Sequence, residues 1–124
     1  HTHTHTHTHT HTQTHTLTHM YCIQLANRLA TGAKDWADLF ALYNSGTHNN
    51  QWIVVDYKKY KNEDTLTADT VWMVETMPRI VEAADVTFTL LTTQGYVPSY
   101  NIPYFPYIFQ VCDHTPFFSF VVRW

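Results

Sequence analysis

From Met20 onward the sequence predicts an α+β domain in which helices cover a sheet, because a helical apolar stripe precedes several short strand-like segments. Residues 51–57 are β-branched and aromatic, and they are apolar on both faces until Asp56, which is typical of an interior strand. At 124 residues the chain has room for one small domain at most. Four residues share the helical stripe through their spacing of i, i+3, i+4 and i+7: Trp36, Leu39, Phe40 and Tyr43.

The elements follow one another in a simple order. Residues 21–43 are predicted to be helical, with an interruption at Thr31-Gly32, and residues 44–47 form a turn. Residues 58–69 are polar and form a surface connection between the first strand and two further strands, at 71–75 and 80–84. Residues 85–93 are predicted to form a short helix. Beyond it three prolines favour an extended path and exclude long regular elements: Pro98, Pro103 and Pro106.

Residues 1–19 form an almost perfect His-Thr repeat that contains eight of the ten histidines. A CA dinucleotide repeat encodes this pattern, and a low-complexity polar segment cannot bury enough apolar surface to offset its ordering entropy. We therefore expect this segment to be disordered and exclude it from the domain. The alternative is a His-rich metal-binding protein, but residues 20–124 offer no supporting ligands for such a cluster.

Composition excludes several classes of protein. The formal charge of −3 is spread over the chain after Arg28 without a basic patch, which argues against nucleic-acid binding. No apolar run is long enough to span a membrane. Cys22 and Cys112 form neither a disulfide framework nor a paired metal-ligand spacing. The chain begins without Met or a leader, so we expect an internal fragment.

Two long motifs resemble the phospholipase B-like family. The first block, residues 43–58, contains Tyr-Asn-Ser-Gly-Thr-His-Asn-Asn-Gln-Trp followed by Val-Val-Asp-Tyr-Lys at 54–58. The second block, residues 98–105, reads Pro-Ser-Tyr-Asn-Ile-Pro-Tyr-Phe. The resemblance covers residues 28–109, with departures at His48, where the family usually has Tyr, and at Arg79, where Gly is usual. Residues between the blocks also fit the family pattern: Trp72, Glu75, Pro78 and Ala84-Asp85.

This resemblance implies an N-terminal-nucleophile hydrolase with an αββα sandwich, which would be incomplete in this chain. Proteins of this kind cleave acyl ester or amide bonds of lipids without a cofactor, and they are lysosomal or secreted glycoproteins. Their nucleophilic Cys lies upstream of the matched region, so we expect this chain to be inactive alone. Its expected partners are a lipid or acyl-amide substrate and the remainder of its own domain. A non-catalytic interaction domain is the other alternative.

The resemblance also implies site residues. In related hydrolases an Asn in a similar turn donates to the oxyanion, and Asn44 matches it, with Thr47 and Asn50 as neighbours in substrate binding. Trp52 would line an acyl pocket. The simpler interpretations are that Asn44 is a helix C-cap and Trp52 a core residue. Cys22 is expected to be a buried structural thiol. Residues 110–124 match no motif and form an unassigned apolar tail.

Overall fold

The computed structural model describes residues 19–61, 66–100 and 102–113. The disorder and the metal binding considered for the His-Thr repeat therefore lie outside the described residues, apart from His19, where the first helix begins. The apolar tail lies outside them from residue 114 onward. The described residues form four α-helices, three strands and one short 3-10 helix at Tyr57–Lys59. The α-helices and strands are α1 (His19–Leu29), α2 (Ala33–Leu42), β1 (Gln51–Val55), β2 (Val71–Met77), β3 (Ile80–Asp85), α3 (Thr87–Thr92) and α4 (Pro106–Asp113).

The strands form one antiparallel sheet in the order β1-β2-β3, so the α+β class is confirmed. The helix break predicted at Thr31-Gly32 separates α1 from α2. The predicted second strand is longer than expected, since it extends to Met77 before Pro78 ends it.

The two N-terminal helices cover one face of the sheet. Trp36 and Phe40 stack with their ring centroids 4.9 Å apart, and both are buried against the strands. The predicted stripe is therefore correct at its centre. It fails at Tyr43, which is 39% exposed because α2 already ends at Leu42. The sheet contributes four buried side chains to this core: Trp72, Val74, Val81 and Ala83.

The opposite face of the sheet is only partly covered. Met73 and Ala84 pack there against Ile108 and Cys112, which lie on α4. Successive strand residues point to opposite faces, so Ile53 and Val55 of β1 share this side. Ile53 is 43% exposed and Val55 is 41% exposed.

Helix α4 differs from the extended path expected after Gly95. Pro106 occupies the first helical position, where no backbone N–H is needed, so it starts the helix without interrupting it. Ile108 and Cys112 are four residues apart and both are buried, which gives α4 one apolar face against the sheet. The prolines therefore determine where the helix begins, but they do not prevent it.

A compact network fixes the end of the sheet at Asp85. The Asp85 carboxylate accepts a 2.8 Å hydrogen bond from the Thr87 N–H and a 2.7 Å hydrogen bond from the Asp69 N–H. The Thr87 hydroxyl oxygen accepts from the backbone N–H groups of Thr70, at 3.1 Å, and Val71, at 3.0 Å. These contacts explain why an Asp belongs at the end of β3, where it links the strand to the start of α3.

Candidate active site

Asn44 lies on the turn that follows α2. Its Oδ1 accepts a 3.2 Å hydrogen bond from the Gly46 N–H, the geometry of an Asx turn. Asn44 does not have the positive φ that a left-handed helix cap requires. Its side chain therefore organises the loop after the helix, and the residue is not a left-handed C-cap.

This hydrogen bond also orients the Asn44 amide. Because Oδ1 faces the Gly46 N–H, the Nδ2 group points away from it and keeps two hydrogens that can be donated. No described residue accepts a hydrogen bond from Nδ2, and the side chain is half-buried. An amide held in this way can donate to a negatively charged oxygen.

Gly46 fixes the position of the turn relative to the sheet. It has a φ of +68°, and a Cβ atom there would lie 2.8 Å from the Cα of Pro78. Only glycine permits both this conformation and this approach. The turn carrying Asn44 is thus packed directly against the turn between β2 and β3.

Asn50 lies a few residues further along the first block, at the start of β1. Its N–H donates to the Thr76 hydroxyl at 3.1 Å, and its carbonyl accepts from the Thr76 N–H at 3.0 Å. A cleft of about 490 Å³ opens here between the first and second blocks. Its lining residues are Asn49, Asn50, Gln51, Glu75, Thr76, Met77, Ser99, Tyr100, Ile102, Pro103, Ile108 and Cys112.

Glu75 joins the two blocks beneath this cleft. It is 3% exposed, and its Oε1 accepts from the Gln51 side-chain amide at 2.6 Å and from the Tyr104 N–H at 2.6 Å. Its Oε2 accepts from the Phe105 N–H at 2.9 Å. The sequence analysis noted Glu75 only as part of the family pattern. A lone charge within the apolar strand β2 was the signal that could have identified it.

Trp52 points to the other face of β1. Its ring centroid lies 6.1 Å from that of Trp36 and 5.5 Å from that of Phe40, so it packs in the helix-covered core. Trp52 also borders a separate cavity of about 460 Å³. The structure therefore brings Asn44 and the exposed Thr47 together in one turn, places Asn50 at the cleft and separates Trp52 from both. An acyl-binding role for Trp52 stays a prediction.

Neither described cysteine is an activated nucleophile. Cys22 is 2% exposed and its thiol donates to the Tyr43 carbonyl at 2.8 Å. Burial raises the pKa of the Cys22 thiol, and burial followed by the negative charge of Glu75 raises the pKa of Cys112. A raised pKa keeps a thiol protonated and unreactive at neutral pH. His48, one of the two departures from the family pattern, is exposed on the loop.

The part of the chain that the structure describes contains neither a candidate metal site nor a candidate membrane span. Within it, no three His, Cys, Asp or Glu side chains lie close enough together to hold a metal ion. None of its helices has the length and apolar character needed to cross a membrane.

Comparison with known proteins places these features in a family. The family model described as Phospholipase B matches residues 2–119. Phospholipase B-like protein B of Dictyostelium discoideum is 48% identical over 87 residues, covering 70% of this chain and 15% of the relative. Phospholipase B-like 1 of Homo sapiens is 43% identical over 88 residues, covering 71% of this chain and 16% of the relative. The chain thus spans about one-sixth of the length of these relatives, and it belongs to the phospholipase B family.

Proposed function

We propose that this chain is part of a hydrolase that cleaves acyl ester or amide bonds of lipids with an N-terminal nucleophile. The observation that carries the proposal is the oriented Asn44 amide on a signature turn of the family. Relatives bear the name phospholipase B-like, which favours a phospholipid ester as the substrate. In keeping with the family resemblance, the protein would act in a lysosome or after secretion.

The chemistry assigns Asn44 a defined role. When a nucleophile attacks an acyl carbonyl, negative charge develops on the carbonyl oxygen, and an oriented donor stabilises that charge without reorganisation. The Asn44 Nδ2 group is such a donor, and Thr47 in the same turn and Asn50 at the cleft would contact the substrate nearby. The nucleophilic thiol would come from another part of the protein, since Cys22 and Cys112 are buried with raised pKa values. The present chain alone would then be inactive.

The architecture fits the αββα sandwich expected of such a hydrolase. Helices α1 and α2 cover one face of the sheet, as an outer helical layer would. On the other face, Ile53 and Val55 remain partly exposed, as expected for a strand on which a second sheet stacks.

The test is an Asn44→Ala substitution in the full-length protein. Loss of one oxyanion donor should lower kcat for a phospholipid or acyl-amide substrate by about 10²–10³. Loss of the hydrogen bond from Gly46 should also cost about 1 kcal/mol of stability, a small effect that cannot by itself account for such a fall in kcat. Turnover and thermal melting are measured on the same preparations. Ser45→Ala is the matched control, because Ser45 lies in the same turn and, among the described residues, its hydroxyl forms hydrogen bonds with the Thr47 hydroxyl and N–H and none with the Asn44 side chain.

A different combination of turnover and melting temperature would contradict the oxyanion role of Asn44. A purely structural Asn44 would make the alanine variant melt at a lower temperature while it hydrolyses substrate at the normal rate. That combination would remove Asn44 from the catalytic machinery.

A further inference from the structure

Glu75 is a buried carboxylate without a cationic partner in the described part of the chain. The ion pairs found there join Lys34 to Asp38, and two further lysines to Asp56 and Asp69. The three N–H donors around Glu75 are therefore what stabilises its charge, through short charge-assisted hydrogen bonds. A charge held in this way costs desolvation free energy that an apolar residue in β2 would avoid.

The donors come from the two sequence blocks that contribute residues to the walls of the cleft. Gln51 belongs to the wall formed by the first block, whereas the Tyr104 and Phe105 backbone belongs to the second block. Gln51 Nε2 also lies 3.5 Å from the carbonyl oxygen of Ile102. No strand pairing joins the described residues of the second block to the sheet. Glu75 thus sets the separation of the two walls.

The lining of the cleft indicates what it can hold. Apolar side chains, among them Met77, Ile102 and Ile108, line the cleft together with uncharged amide and hydroxyl groups. No described lining residue is Lys, Arg or His, and the one charged residue is negative and occupied by its three donors. A phosphate group would find no positively charged side chain among the described lining residues, whereas an uncharged alkyl chain would bury its surface against the apolar side chains.

We propose that this cleft binds the acyl chain of the substrate and that Glu75 is the positioning residue that holds its two walls together. The inference rests on the proposed lipid hydrolase function and names the subsite for its uncharged part. Glu75 acts through the second block and through Gln51, and it does not touch the reacting atoms.

The first experiment compares chain lengths in the full-length enzyme. With phosphatidylcholines bearing butanoyl, hexanoyl or octanoyl chains, KM should fall by up to about fourfold for each methylene that the cleft buries. Glu75→Gln keeps the shape but replaces an acceptor by a donor facing the N–H groups, so KM for the octanoyl substrate should rise about tenfold or more. The butanoyl substrate and kcat should change little. Equal losses for all chain lengths would overturn the proposal.

Two other variants serve as a control and as a second test of the acyl subsite. Glu82→Gln makes the same substitution at a buried carboxylate on the adjacent strand that does not line the cleft, and it should leave the chain-length dependence intact. Ser99→Trp places a large side chain at an exposed position of the rim and should remove the preference for longer chains without disturbing the core. Normal chain-length dependence in Ser99→Trp would overturn the acyl subsite. A Glu75→Gln variant that fails to fold would assign Glu75 to stability and overturn its positioning role.

Calorimetric binding of 1-octanoylglycerol separates this inference from the proposed function. Binding by the wild type and Glu82→Gln, together with weakened binding by Glu75→Gln and Ser99→Trp, supports the subsite even if no phospholipid is hydrolysed. In that case the hydrolase proposal fails and the subsite remains. Absence of binding to the wild type overturns the subsite whatever the turnover.

Discussion

Arg79 has an unusual backbone conformation for its residue type. It follows Pro78 in the two-residue turn between β2 and β3 and has a φ of +68°. In this left-handed region a Cβ atom costs about 1–2 kcal/mol, which glycine avoids. The family resemblance implies Gly at this position, and a Gly here would avoid the backbone strain that Arg79 carries.

We expect Arg79→Gly to stabilise the full-length protein by about 0.5–1 kcal/mol, once the greater unfolded-state entropy of glycine is subtracted from the relief of strain. Urea unfolding measures the difference. Arg79→Ala is the control, because it removes the same charge but keeps the Cβ atom. An equal gain in both variants would attribute the effect to the arginine side chain and leave the backbone argument without support.

The position of Asn44 could be predicted from the sequence, whereas the direction of its side-chain amide could not. Asn44 could be placed on a turn because Asn-Ser-Gly-Thr follows a helical pattern. The direction of the Asn44 amide could not be predicted, because it depends on the hydrogen bond from the Gly46 N–H. It also depends on the packing of Gly46 against Pro78, which lies 32 residues further along the chain.

Strands β2 and β3 place two buried carboxyl groups side by side. Glu75 and Glu82 are register partners, so their side chains share one face of the sheet, and Glu82 is 2% exposed. Burial, and after it the negative charge of Glu75, raises the pKa of Glu82 above its ordinary value. Like charges directly opposite each other destabilise a strand pair, so a proton on Glu82 relieves the repulsion.

This pair predicts a pH dependence of stability. A raised pKa in the folded state means that the contribution of Glu82 is fully present below its unfolded pKa and is lost as pH rises through the folded pKa. Glu82→Gln, which mimics the protonated form, should therefore raise the melting temperature near pH 7 and leave it almost unchanged near pH 4. Each unit of pKa difference corresponds to about 1.4 kcal/mol.

Thermal melting of the full-length protein across this pH range tests the prediction. Asp38→Asn serves as the control, because Asp38 forms an exposed ion pair with Lys34 on α2 and lies outside the buried pair. A gain for Glu82→Gln that is the same at both pH values would show that protonation of Glu82 is not involved.

At the level of elements, the sequence predicted α1, α2 and the three strands because each has a local pattern of apolar residues. It did not predict α4. The face of that helix is defined by burial against β2 and β3, and the chain before it is held by Glu75, which lies 29 residues away from Tyr104. Contacts at such separation leave no local pattern in the sequence.

At the scale of the whole molecule, the described part of the chain leaves one face of β1 largely without a covering layer. Ile53, Val55 and the neighbouring Tyr57 are exposed along β1, which is also an edge strand in the sheet order. Apolar edge strands pair with other copies of themselves. Residues 51–57 are apolar on both faces, and we predicted an interior strand from this pattern. In the described part of the chain β1 is instead an edge strand with one exposed face. This exposed face is consistent with a covering layer supplied by another part of the protein.

We expect the chain expressed alone to be poorly soluble or only partly folded. Sedimentation and amide hydrogen exchange should show aggregate or little slow exchange, because the exposed face of β1 is free to associate. Ile53→Thr with Val55→Thr keeps the β-branched shape but adds hydroxyl groups, so it should reduce aggregation. A soluble wild-type monomer with a sharp cooperative melt would show that this segment is a domain in its own right.

The contacts of Glu75 also impose an order on folding. Gln51 lies 24 residues before Glu75, and Tyr104 and Phe105 lie 29 and 30 residues after it. Closing loops of this length has an entropic cost that local strand pairing does not have, so the β2–β3 hairpin can form first. Until the second block arrives, the Glu75 carboxylate must remain hydrated, because removing it from water without its donors is unfavourable. We therefore expect the second block to dock late and to dehydrate this side of the sheet when it arrives.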